Sequence, residues 1–145
     1  MNTPERLAQN FVDEVRAQEA RNRAEVLNRE KHLKQWGPTL ETIRDALTRL
    51  SEELSERLNL PGYTLADVYI VRSRLVFDWQ SEHGSFRFAF DPTAEGVFYR
   101  IEGENQSGYC RDLKNDDGRT IYSAAELACG IVIERLRKLI LPRLA

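Results

Sequence analysis

At Pro61-Gly62 the hydrophobic period of the chain changes from that of a helix to that of a strand, so the fold must bring a helical segment and a sheet onto one core. Beyond the change, Leu75, Phe77 and Trp79 alternate with Arg74, Val76, Asp78 and Gln80. Phe86, Phe88 and Phe90 then alternate with Ser85, Arg87, Ala89 and Asp91. A repeat of two sends successive side chains to opposite faces of a sheet. The two runs are expected to form a hairpin turned at Ser81-Glu82-His83-Gly84, with one strongly aromatic face. Asp91-Pro92-Thr93-Ala94-Glu95-Gly96 makes the next turn, and Val97, Tyr99 and Ile101 define a third strand with Phe98, Arg100 and Glu102 on its reverse. A fourth strand is expected from Tyr109 to Leu113, then a turn at Asn115-Asp116-Asp117-Gly118 and a short segment from Arg119 to Tyr122. An earlier strand around Val68 to Arg72 either precedes the hairpin or runs into it through a bulge. Residues 61–122 thus read as an antiparallel meander of four to six strands.

Before the change, Thr3 followed by Pro4 opens a helix, because the hydroxyl can cap it and proline loses no needed hydrogen bond in the first turn. Nothing breaks that helix until about Gln35. Coiled-coil steps land on Val12, Val15, Glu19, Asn22, Val26, Arg29, Leu33 and Trp36, a weak seam with polar residues in its middle. The same stepping continues through Leu40, Ile43, Leu47, Leu50 and Leu54, ending at Arg57, as a strong one. Between them Gly37-Pro38 either kinks one helix or divides it, since proline removes a hydrogen bond and restricts the residue before it. A break into two packed helices is expected. Asn59-Leu60-Pro61-Gly62 ends the helical section, residues 1–60.

Ser123-Ala124-Ala125-Glu126 reads as a capping box. The helix behind it, within residues 123–141, is polar only along Glu126, Gly130, Glu134, Arg137 and Lys138 and so is expected to lie on the aromatic sheet face and against the Leu40 to Leu54 helix. Pro142 ends it. The fold class is α+β in a single domain, 1–145: a long N-terminal helix or helix pair, the meander, and a C-terminal helix packed on the sheet. At this length about 70% of the surface of the unfolded chain can be buried, without a metal or disulfide staple.

Charge narrows the partners. With 21 basic and 23 acidic residues the chain is net −2, which disfavours coating nucleic acid or anionic lipid. The opening residues carry no signal or transit pattern, and the apolar region Ala124 to Leu141 is interrupted by Glu126, Glu134, Arg135, Arg137 and Lys138, so it cannot span a bilayer. A cytoplasmic location is expected, with Cys110 and Cys129 as reduced thiols.

No motif carries chemistry. Asp78, Glu82 and His83 lie close along one hairpin, but His83 sits on an expected exposed turn, and His32 has no second ligand at metal spacing. Asp112, Asp116, Asp117 and Gly118 lack the alternation of a calcium loop and read as a turn. No catalytic, metal or cofactor site is expected. Arg21, Arg23, Arg29, Lys31, His32 and Lys34 read as a solvated helix face, and the cations Arg135, Arg137, Lys138 and Arg143 as complements to a helix dipole.

Two surfaces exceed what one domain must bury. On the reverse sheet face, Arg74, Arg87 and Arg100 with Phe98 form a candidate protein-binding patch, the plainer account being cross-strand ion pairs. On the first helix, Val12, Val15, Asn22 and Val26 are candidates for a homodimer interface, the plainer account being a helix that lies across its own domain at both ends with its middle in water. The expected function is a small dimeric protein-binding module, an adaptor, inhibitor or chaperone-like accessory factor. A nucleic-acid-associated protein using the basic patches is the alternative.

Overall fold

The computed structural model describes residues 3–58 and 66–144, and over these the chain is α+β. Its first element, α1, is one uninterrupted helix, Pro4–Leu58, of 55 residues. At 1.5 Å per residue it is about 80 Å long. Thr3 caps it, its Oγ1 accepting from Arg6 N at 3.2 Å. The expected terminator Asn59-Leu60-Pro61-Gly62 lies outside the described residues.

The expected break at Gly37-Pro38 does not occur. Pro38 lies inside the helix, and Thr42 Oγ1 donates to its carbonyl at 2.9 Å. Gly37 has no Cβ to clash with the proline ring, which removes part of the restriction on the residue before proline. Large side chains on both sides of the site, Leu33 and Trp36 before it and Leu40 and Ile43 after it, belong to one core. Burial along that face offsets the lost hydrogen bond, a competition between local propensity and packing that packing wins.

Five strands follow in a sheet whose order is that of the sequence: β1 (Asp67–Val71), β2 (Arg74–Ser81), β3 (Gly84–Thr93), β4 (Gly96–Ile101) and β5 (Ser107–Cys110), all antiparallel. The early strand is therefore a separate one. It joins β2 through a two-residue turn in which Arg72 and Ser73 both take left-handed φ values, 50° and 62°. Hairpins of this length favour glycine or asparagine there, so the pair Arg-Ser gave no turn signal. Replacing Ser73 by glycine should relieve the strain, partly offset by glycine's entropy, for a net gain of about 0.5 kcal/mol read as a higher urea midpoint at unchanged slope.

The expected fourth strand is divided. β5 ends at Cys110, and Leu113–Lys114 (β6) pairs instead with Thr120–Tyr122 (β7) as a separate two-stranded ribbon. Asp112, between them, accepts from Ala124 N at 2.8 Å at the start of the last helix. That helix, α2 (Ala124–Ile140), carries the complete capping box of Ser123 and Glu126, and the chain continues into a short 3₁₀ turn, Leu141–Arg143.

The core is one layer. Leu75, Phe77, Trp79, Phe86, Phe88, Phe90, Val97, Tyr99 and Ile101 line one sheet face, and Leu40, Ile43 and Leu47 of α1 and Ala128, Val132, Leu136 and Leu139 of α2 cover it. Alanines 124, 125 and 128 are buried at the start of α2, where small side chains allow a close approach to a neighbouring element. Gly84 is needed for the same reason: its φ is +129°, and a Cβ there would stand 2.8 Å from Leu139 Cδ1. Among the described residues no helix is long and apolar enough to cross a membrane.

Candidate functional site

The outer sheet face is built in rows set by the strand register. One row runs Tyr69, Val76, Ala89, Arg100, Ser107 across β1 to β5. Beside it, Asp91 pairs with Phe98 and Phe98 with Tyr109. On its other side Asp67 faces Asp78 and Asp78 faces Arg87. The three arginines expected on this face are all there, in three different situations.

Arg74 grips Asp91 with two parallel bonds, Nε to Oδ1 at 2.6 Å and Nη2 to Oδ2 at 3.0 Å. The pair is largely covered, and the hydrogen bond to Asp91 raises the Arg74 pKa above its ordinary value. Arg87 Nη2 bonds Asp78 at 3.0 Å, and Nη1 lies 3.7 Å from Glu102. Its pKa is raised too, chiefly by the Asp78 bond, and its Nε is shielded from solvent with no acceptor within reach. Both guanidinium groups are occupied within the chain. Arg100 is exposed, and among the described residues it has no ion-pair partner. It adjoins Phe98, half-buried and edge-on to Tyr109 at 5.2 Å, while Arg111 lies 4.3 Å over the Tyr109 ring. The part of this face without an internal ion pair is thus Arg100 with Phe98 and Tyr109; Arg74 and Arg87 stiffen the sheet beside it.

The other candidate surface is the N-terminal part of α1. Every residue from Thr3 to Glu25 is exposed. The plainer account, a helix resting on its own domain at both ends, does not hold: only the part from about Val26 onward meets the domain, because the large core-facing side chains begin at Leu33. Local pairs hold the solvated part in helix, with Gln9 Nε2 donating to Asp13, Gln18 Nε2 to Asn22, and Arg21 to Gln18. Leu7 is 53% exposed, Phe11 65%, Val12 37% and Val15 38%. Leu7 and Phe11 are the most open of these. Their spacing of four from each other and from Val15 was visible in the sequence, but the strict coiled-coil steps passed over both.

Where this arm meets the domain, Arg29 departs from the solvated helix face on which the sequence placed it. It is buried, and its Nε donates to the Arg72 carbonyl at 3.1 Å, clamping the strained β1–β2 turn. Desolvation, then the nearby Arg74 charge, lowers its pKa. Beside the clamp an open crevice of about 470 Å³ is lined by Glu19, Asn22, Arg23, Val26, Leu27 and Arg72. Asn22 and Val26 are two of the four interface residues expected from sequence.

The Ser81 hydroxyl donates to Gly84 O, and it accepts from Trp79 Nε1 and from the backbone N of His83. Among the described residues no group of three or more histidine, cysteine, aspartate or glutamate side chains is placed to hold a metal ion. Asn115 closes the turn before Gly118 by accepting from the backbone of Asp117 and Arg119. Cys110 and Cys129 are free thiols, and burial pushes Cys110 up to about 12 and Cys129 upward as well. Arg143 donates to the Leu139 carbonyl as a helix-end cation does, whereas Arg135 bonds Glu104 and lies 5.2 Å over the Phe86 ring. No protein-family model, curated protein or solved structure matches this chain.

Proposed function

We propose that this protein is a small dimeric protein-binding module, assembled through the exposed arm of α1 and presenting the outer sheet face, around Phe98 and Arg100, to a protein partner. The observation that carries this reading is the arm. A helix of more than twenty residues, wholly exposed and carrying Leu7, Phe11, Val12 and Val15, contributes nothing to the burial of its own domain. Contiguous apolar surface of this kind marks an association site. An adaptor, an inhibitor or a chaperone-like accessory factor would each use such a pair of surfaces.

Light scattering after size-exclusion chromatography, at low and high salt with absorbance at 260 and 280 nm, tests the reading. The expected result is the mass of two chains at both salts without excess 260 nm absorbance. A monomer that carries nucleic acid at low salt and sheds it at high salt would overturn it in favour of the basic patches on α1 and the sheet.

A further inference from the structure

We propose that the two arms pair antiparallel, each laying its apolar tip along the other's crevice between α1 and the β1–β2 turn. This rests on the reading of the arm as a dimer surface and adds its direction and register. The occupant of the crevice is then a second copy of this chain.

Charge along the arm supports that choice. Residues 4–14 hold three carboxylates, Glu5, Asp13 and Glu14, against one arginine. Residues 15–27, the stretch that a partner can reach, hold Arg16, Arg21 and Arg23 against Glu19 and Glu25. Parallel pairing sets acidic beside acidic and basic beside basic, and at the seam it places Glu19 against Glu19. Antiparallel pairing sets each acidic tip beside the other copy's basic stretch. It also makes the contact isologous: one arm supplies both a tip and a crevice, so two copies satisfy each other and the assembly closes.

The Arg29 clamp sets where the partner must stop. At Arg29 the seam face of α1 is already covered by its own β1–β2 turn, so the partner's helix can follow the seam only as far as Val26 and Leu27. In an antiparallel pair the seam steps then set Ala8 across from Val26, Val12 across from Asn22, and Val15 across from Glu19. Asn22 Oδ1 already accepts from Gln18 on its own helix, so it enters the contact with a partner.

A single variant carrying Ala8→Cys and Val26→Cys reads the direction. The two positions are about 27 Å apart along one helix, too far for a link within a chain. Oxidation of the dimer followed by peptide mapping is expected to give the residue 8 to residue 26 link between copies. Links of 8 to 8 and 26 to 26 would overturn the antiparallel arrangement and leave the dimer reading standing. A dimer by light scattering with no link at either position would overturn arm pairing in this register, and a monomer would overturn both proposals. Asp13→Asn with Glu14→Gln gives a second readout: the antiparallel dimer, losing the attraction of each tip to the other copy's Arg21, should weaken about fivefold, whereas a parallel one, relieved of like-charge repulsion, should tighten.

Discussion

Replacing Val12 and Val15 together by alanine is expected to weaken self-association about a hundredfold while leaving the unfolding of the sheet domain unchanged. Both side chains are exposed in the single chain, at 37% and 38%, and neither belongs to the core. Their loss therefore removes nothing that folding buries. In the proposed dimer they lie on the seam, and burying the remaining apolar area is worth about 0.7 kcal/mol for each of the four side chains, or about 3 kcal/mol together. Alanine keeps the helix propensity of the arm, so the change isolates the contact. The arm grows from a helix already nucleated by its packed half and stays helical without its partner. Analytical ultracentrifugation across a dilution series measures the dissociation constant, and urea unfolding checks the domain. An unchanged constant would remove the arm from the assembly surface.

Phe88→Ala is expected to destabilise the fold by about 3–5 kcal/mol. Phe88 is fully buried in the middle of β3, with ring centroids at 5.6 Å from Phe86, 6.0 Å from Phe90 and 6.3 Å from Tyr99. These rings sit on β3 and β4, Phe77 of β2 is the register partner of Phe88, and both helices pack over the same face, so the site cannot collapse onto the space left behind. A domain of this size loses roughly 2–4 °C of thermal midpoint per kcal/mol, so the midpoint should fall by about 10 °C. The same substitution at half-buried Phe98, on the outer face, should cost about 1 kcal/mol. Equal losses at the two positions would mean that the two faces of the sheet are not divided into core and surface as described.

Most of the sheet was legible because a period of two ties each side chain to a face whatever the rest of the chain does. The runs Leu75-Phe77-Trp79 and Phe86-Phe88-Phe90 came out as the core face, and the capping box at Ser123 came out complete, since both depend on residues close in sequence. The misread points were contests between a local rule and distant packing. Pro38 argued for a break, and the core contacts of Leu33, Trp36, Leu40 and Ile43 overrode it. Arg72 and Ser73 are poor turn formers, and the Arg29 bond from 43 residues away holds them left-handed. Of the candidate patch, the strand phase placed Arg74, Arg87 and Arg100 on one face. It gave no sign of which of them would be engaged by Asp91, Asp78 and Glu102.

The sequence by itself determined the class of the protein: a helical section, an antiparallel meander with one aromatic face, a capped terminal helix, and a first helix too polar in its middle to be buried along its length. All of these follow from the spacing of side chains along a backbone of fixed geometry. Tertiary structure alone decided that α1 is one rod, that its packed half covers the aromatic face while its first two dozen residues stand in solvent, and that Arg29 locks the turn at the boundary. Those outcomes depend on which surfaces compete for the same core. A stripe of Leu40, Ile43 and Leu47 is taken up by the sheet because its apolar area is large and continuous, and the weaker stripe of Leu7, Phe11, Val12 and Val15, left without a place on that core, stands in solvent.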